Sequence, residues 1–131
     1  MDGDFSVLDP DDVEQEPFAM CDVRHRKLTE ALGCTEMRIN TATLEPGEAT
    51  PPHAHEGQEE VYIALTGGRV EIDGEAHDVP EGGVVRVGPE PIRAVRNDTD
   101  DEIHRWVMVG APPVGTVEDF GNTVLPGEES P

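Results

Sequence analysis

Basic residues are scarce in this sequence, and lysine is nearly absent. Nine Lys and Arg residues stand against 29 Asp and Glu residues, the formal net charge is −20 over 131 residues, and Lys27 is the only lysine. A phosphate backbone would repel such a chain, so nucleic acid is excluded as a partner. The acids alternate with apolar runs, which indicates a solvated surface on a folded core rather than disorder. Because concentrated salt screens repulsion between carboxylates, we expect a protein adapted to high salt.

The sequence also lacks a cysteine framework, a long apolar segment and an export signal. Its two cysteines, Cys21 and Cys34, do not make a disulfide scaffold. No apolar stretch approaches the roughly 18 residues that a membrane span needs. The N-terminus shows neither a basic nor an apolar leader region. We therefore expect no membrane association and a cytoplasmic location.

Proline and glycine interrupt the chain often. Fourteen glycines and 12 prolines break up long helices but suit short strands joined by tight turns, and the length fits one domain. One short helix is allowed between residues 22 and 33, closed by Gly33. We predict an all-β fold in three parts: an acidic N-terminal arm over residues 1–17, a barrel over residues 18–111, and a tail rich in proline and glycine over residues 112–131.

A period of two residues marks the predicted strands. After Gly33, Met37 and Ile39 alternate with Arg38 and Asn40, and a turn follows. Later strands are predicted at Glu60–Leu65, Arg69–Ile72, His77–Val79, Val84–Val87, Arg93–Arg96 and Ile103–Val109. This spacing favours a sandwich or barrel. Residues 61–65 are apolar on both faces, which predicts a strand covered on both sides, as in a barrel wall against a second sheet or a partner subunit.

One cluster of residues carries chemistry. His53 and His55 are two apart, so a strand would send both imidazoles to the same face, and Glu60 follows at the start of the most apolar strand. Two histidines and a carboxylate on neighbouring strands form a facial triad that holds iron, manganese, nickel or cobalt and leaves positions open. From the spacing alone, the alternative is an exposed histidine pair in a turn and a glutamate that ends a strand.

The same residues resemble the first motif of the cupin family. Gly47, His53, His55, Glu60 and Gly67 match it at every fixed position, and only Glu60, not Glu59, keeps six residues before Gly67. Gly74, Pro80 and Gly82 match the start of the second motif, and the resemblance covers about residues 36 to 110. It implies a double-stranded β-helix barrel of the jelly-roll type, a homodimer, and His53, His55 and Glu60 as ligands of a divalent transition metal, zinc included.

The sequence departs from the family where a fourth ligand is expected. Arg93 stands in place of the histidine, and a guanidinium has no lone pair to offer a metal. Three alternatives remain open. The metal keeps three protein ligands and an extra water, or Arg93 pairs with Glu60 in a site that has lost its metal, or Arg93 holds an anionic substrate beside the metal.

Other polar residues are weaker candidates. Tyr62 shares the face of Glu60 and is predicted to line the pocket or donate its hydroxyl. His104 either points into the barrel near the triad or is an ordinary core or surface histidine. His25 and His77 sit among charged neighbours and are expected to be exposed.

Two functions fit these residues. The first is a metal-dependent enzyme acting on a small molecule, most simply an oxygenase, in which Arg93 or Tyr62 orients the substrate. The second is a metal-poor barrel that binds a small ligand without chemistry, with Arg93 as the anion contact. The resemblance does not choose, because cupins host many reactions on one fold.

Overall fold

The computed structural model describes residues 4–17, 21–55, 57–113 and the backbone of 123–124. Its strands are β1 (Gln15–Pro17), β2 (Arg24–Lys27), β3 (Arg38–Leu44), β4 (Ala54–His55), β5 (Glu59–Ala64), β6 (Gly68–Ile72), β7 (Glu75–Val79), β8 (Gly83–Val87), β9 (Arg93–Arg96), β10 (His104–Ala111) and β11 (Thr123–Val124). A 3₁₀ turn covers Pro10–Asp12, and one short helix, α1, covers Thr29–Leu32. The all-β prediction is confirmed, and so is the short helix, which ends at Gly33.

The strands form two main antiparallel sheets that enclose the core. The larger sheet has the order β1-β2-β3-β10-β5-β8, the smaller one has the order β7-β6-β9, and β4 pairs with β11. Backbone bridges from Ala49 to Arg96 and from His53 to Arg93 tie the segment before β4 to the edge of β9. The segment that carries the histidines therefore borders the smaller sheet, while Glu60 lies on the larger one.

The hydrophobic core joins the two sheets. Trp106 and Tyr62 from the larger sheet pack in one cluster with Val70 and Val95 from the smaller sheet. The rings of Tyr62 and Trp106 meet edge to face, with centroids 6.3 Å apart. The four described glycines of the family motifs all take left-handed backbone angles, which residues with a side chain rarely adopt: Gly47, Gly67, Gly74 and Gly82, with φ between 74° and 83°.

The acidic N-terminal segment is attached to the larger sheet through its last residues. Strand β1 pairs with β2, and Arg26 donates a hydrogen bond of 2.7 Å from Nη1 to the carbonyl of Val13. The predicted boundary after residue 17 borders residues 18–20, which lie outside the described part. The predicted tail is described only at residues 112–113 and at β11.

Strand β5 is covered on its inner face, whereas on its outer face Val61 and Ile63 are half-buried and Leu65 is 48% exposed within one chain, so cover by a partner subunit stays a prediction. One expectation about exposure is wrong. His25 is buried rather than exposed, because its strand lies inside the sheet between β1 and β3. His77, in contrast, is half-exposed on β7.

Gly68 is expected to be required for the packing of Trp106. A Cβ atom at this position would lie 2.7 Å from Cζ2 of Trp106, whose side chain is fully buried. We expect Gly68→Ala to lower the free energy of unfolding by about 1–3 kcal/mol, as overpacking does in other cores. Urea denaturation measures the change. Gly88→Ala, where a Cβ would meet nothing within 4 Å, is the matched control. Equal stability of both variants would contradict the packing argument.

In the part of the chain that the structure describes, no helix is long and apolar enough to cross a membrane.

Candidate metal centre

His53 lies just before β4 and bridges to β9 of the smaller sheet, and His55 is the last residue of β4. His53 exchanges backbone hydrogen bonds with Arg93, at 2.9 Å from the amide of His53 and 2.7 Å from the amide of Arg93. His55 is buried, and the two imidazole rings stand nearly perpendicular with centroids 4.8 Å apart. The pairing with β9 therefore sets where the histidines stand relative to Arg93.

Glu60 completes the cluster from the larger sheet. One potential ligand atom each from His53, His55 and Glu60 lies within 4.8 Å of the others, and Oε2 of Glu60 is 3.3 Å from Nε2 of His55. Glu59, the alternative in the sequence, is exposed and forms an ion pair with Arg86 on the outside of the barrel. The alternation along β5 thus places Glu60 inside and Glu59 outside.

The carboxylate of Glu60 is surrounded by donors. Burial raises its pKa, whereas the hydrogen bond from the Tyr62 hydroxyl and the guanidiniums of Arg93 and Arg38 act to lower it. Tyr62 is itself buried, and both burial and the nearby Glu60 carboxylate raise the pKa of its phenol. Tyr62 therefore stays neutral and donates a hydrogen bond to Oε1 of Glu60.

Arg93 lies inside the barrel and not on its surface. Its side chain is fully buried, Nε is 3.6 Å from Oε1 of Glu60, and Nη2 donates to the carbonyl of Gly88. The position that the family pattern reserves for a fourth ligand is therefore occupied by a positive charge next to the carboxylate.

Arg38 is the residue that sequence analysis missed. It projects inward from β3, is 2% exposed, and places Nη2 3.7 Å from Oε2 of Glu60. The carbonyl oxygen of the Gln58 side chain accepts hydrogen bonds from Nε and Nη2 of Arg38, and Nε2 of Gln58 donates to the carbonyl of Pro112. Gly110, paired with both Arg38 and Glu60 on the strand between them, leaves the space that the guanidinium fills, because a Cβ there would lie 2.8 Å from Nη2.

The hydrogen bonds of the two imidazoles differ. Nδ1 of His53 is 2.8 Å from the carbonyl of Pro51, which only accepts, so Nδ1 carries the hydrogen and Nε2 keeps a lone pair for a metal. Burial, with Arg93 and Arg38 nearby, lowers the pKa of His53, which favours the neutral form that binds metals. Nδ1 of His55 instead faces Nη2 of Arg38 at 3.4 Å, and because a guanidinium only donates, the hydrogen of His55 falls on Nε2, towards Glu60.

The donor set fits a divalent transition metal, but neighbouring positive charges compete with a metal for the Glu60 carboxylate. Two imidazoles and a carboxylate suit iron, manganese, nickel, cobalt or zinc. The two guanidiniums already partly neutralise Glu60, and His55 has to move its hydrogen from Nε2 to Nδ1 before Nε2 can bind a metal. A metal is therefore expected to bind less tightly here than in a barrel with a fourth histidine in place of Arg93.

His104 lies away from this cluster. Its Nε2 is 3.2 Å from Oε1 of Glu102, and its backbone partner on β3 is Leu44. Gly110, which stands beside Glu60, is six residues further along the same strand, and six residues of a strand span about 20 Å. The structure thus favours an ordinary buried histidine over a residue of the site.

The observed features define an antiparallel β-barrel whose interior carries two histidines and a glutamate. Comparison with family models then identifies the chain: residues 40–110, more than half of it, match the cupin domain, and the chain belongs to the cupin superfamily. No curated protein matches the chain.

Solved structures show the same fold. A polyketide cyclase, RemF, from Streptomyces resistomycificus is 21% identical, with a TM-score of 0.73 over 95% of this chain and 87% of that one. A cupin-superfamily sugar phosphate isomerase from Silicibacter pomeroyi is 22% identical, with a TM-score of 0.72 over 81% and 75%. A predicted oxalate decarboxylase from Thermotoga maritima is 19% identical, with a TM-score of 0.71 over 82% and 99%. The likeness is one of fold, and the activities in these names differ.

Proposed function

We propose that this cupin binds a divalent transition metal through His53, His55 and Glu60 and uses the site to bind a small molecule inside the barrel. The observation that carries the proposal is the meeting of three ligand atoms from two different sheets within 4.8 Å.

The chain's own residues have distinct roles in this proposal. His53, His55 and Glu60 would hold the metal, which would leave positions open for a ligand and would act there as a Lewis acid. Arg93 and Tyr62 border the same carboxylate and orient the bound molecule, Arg93 by its charge and Tyr62 by its hydroxyl. An oxygenase is the reaction class we favour from the donor set. The three structural neighbours are named as a cyclase, an isomerase and a decarboxylase, so they support the fold and do not indicate one reaction.

One specific contact set favours a second candidate, a metal-poor binding barrel. Arg93 approaches Oε1 of Glu60, and Arg38 approaches Oε2, so each carboxylate oxygen has a guanidinium beside it. In this alternative the barrel binds a small ligand and performs no chemistry. For either candidate we propose a homodimer in the cytoplasm.

Elemental analysis of protein purified without chelator tests the proposal. We expect close to one transition metal ion per chain, because two imidazoles and one carboxylate are the three donors that a facial site needs. Protein stripped with a chelator and then reloaded with iron, manganese, nickel, cobalt or zinc identifies the preferred metal. Occupancy well below one ion per chain after reloading with each of these metals would contradict the metal proposal and favour the metal-poor barrel.

A further inference from the structure

The outer face of the larger sheet is apolar at its centre. Outward side chains of four neighbouring strands pair in two rows, Ile39–Val109–Val61 and Val107–Ile63–Val84. None of these six residues is buried, and Val84 is 64% exposed. Leu65, two residues beyond Ile63 on the same side, is 48% exposed. A contiguous apolar patch on a protein surface marks an interaction site more often than single exposed residues do.

Acidic residues avoid this face, although the chain contains 29 of them. Among the outward positions of β2, β3, β10, β5 and β8, the one acid is Glu59, which pairs with Arg86. Four of the nine basic residues, in contrast, point outward here: Arg24, Arg26, Arg86 and Arg105. Two copies of a chain with a net charge of −20 repel each other wherever their acids meet. This face lets them approach without bringing acids together.

Two of these arginines lie at one end of the apolar rows. Arg24 on β2 and Arg105 on β10 both pair with Thr43, from opposite sides of β3. Both are exposed, and among the described residues neither side chain forms a hydrogen bond or an ion pair. Unpaired guanidiniums are unexpected in a chain with so many carboxylates. They suit a partner that brings carboxylates next to apolar side chains.

The N-terminal segment of this same chain has that composition. Residues 4–9 read Asp-Phe-Ser-Val-Leu-Asp, an apolar stretch with an acid at each end. Phe5 is 72% exposed and Val7 is 88% exposed, whereas Ser6 between them is half-buried. The hydroxyl of Ser6 donates a hydrogen bond of 2.5 Å to the carbonyl of Leu32. The segment is therefore attached to its own chain while Phe5 and Val7 stay free to contact another molecule.

We infer that the outer face of the larger sheet binds a second copy of this chain through the N-terminal segment of that copy. Phe5 and Val7 of the partner subunit pack on the apolar rows, and the acids beside them approach Arg24 and Arg105. The contact is reciprocal, as a closed assembly of two identical subunits requires. The inference rests on the proposed homodimer, for which it names the interface, and it does not depend on the metal.

Sedimentation equilibrium of the full-length chain in molar potassium chloride tests the interface. We expect a dimer, and Leu65→Asp should raise its dissociation constant at least about tenfold, because a leucine side chain loses its burial against the partner. Ala76→Asp is the matched control. It adds the same charge at an exposed position of β7 in the smaller sheet, so the dissociation constant should stay unchanged. A dimer that Leu65→Asp leaves undiminished would overturn the inference.

Mixing two variants tests whether the N-terminal segment binds across the interface. A chain with Phe5→Ser and Val7→Ser together should also dimerise at least about tenfold more weakly than the original chain. In a mixed dimer with Leu65→Asp, one unmodified segment still meets one unmodified face, whereas each variant alone has no intact contact. The mixture should therefore associate at least about tenfold more tightly than either variant alone. A mixture that associates no better than the separate variants would overturn the reciprocal contact.

Further measurements separate this inference from the proposed function. Circular dichroism reports whether Leu65→Asp folds, and if it does not, Val84→Asp on the neighbouring strand takes its place with the same expected result. A monomeric original chain in molar potassium chloride contradicts both the homodimer and this interface. A dimer that the variants of the face and of the segment do not weaken contradicts the interface alone. Elemental analysis of the same samples reports metal binding independently of the oligomeric state.

Discussion

Replacing either histidine of the cluster by alanine is expected to lower the affinity for a divalent metal by at least about a hundredfold. Loss of groups that merely support a ligand already costs ten- to a hundredfold, and a three-ligand site has no spare donor. The fold should survive, because neither His53 nor His55 belongs to the apolar cluster around Trp106. Metal titration with a chelator as competitor measures the affinity, and circular dichroism measures folding.

The chain offers a matched control for this experiment. His77 is a half-exposed histidine on β7, and its Nε2 lies 3.8 Å from Oε1 of Glu75 on the same strand. His77→Ala removes an imidazole of equal size without touching the barrel interior, so metal affinity should stay unchanged. If His53→Ala or His55→Ala keeps full occupancy, the assignment of that histidine as a ligand is wrong.

Thermal stability is expected to rise steeply with salt, with a melting temperature at least about 10 °C higher in molar potassium chloride than in dilute buffer. The net charge is −20, and the Debye length shortens from about 10 Å at 0.1 M salt to about 3 Å at 1 M. Screening on that scale reduces repulsion between neighbouring surface carboxylates, and each 1 kcal/mol regained raises the melting temperature by roughly 4–8 °C in a small domain.

A variant with fewer charges separates screening from general salt effects on the core. Glu36, Asp100 and Asp101 are exposed, and substituting all three by their amides removes three negative charges. The variant should be more stable than the original chain in dilute buffer and should gain less from added salt. A melting temperature that does not respond to potassium chloride would contradict the adaptation to salt that the composition predicts.

Much of the site could be predicted from residues that are close together in the chain. His53 and His55 share a face because a strand has a period of two, and the same period separates Glu60 and Tyr62 from Glu59 and Val61. The spacing of glycines in the family motifs also has a local cause, since those described positions take left-handed angles. The assignment of these residues as metal ligands stays a prediction.

Arg38 shows why the rest could not be predicted. At the start of β3 the inward residues, Arg38 and Asn40, are polar, whereas Ile39 between them is apolar and points outward. The usual rule of apolar residues inside selects the wrong face at the start of this strand, because the barrel interior there is a polar site and not a packed core. Its partner Gln58 lies in the short connection between β4 and β5, where no periodicity indicates burial.

The sequence by itself determined the class of fold, the spacing of the metal-ligand candidates and the strongly acidic surface, since each depends on residues close together in the chain or on composition. Only the tertiary structure decided that two arginines meet one carboxylate. Arg38 reaches Glu60 because β10 pairs with both of their strands and presents Gly110 between them. Arg93 reaches it because β9 pairs with the segment of His53. Such contacts depend on which distant strands become neighbours and in what register, and that is settled by packing of the whole barrel.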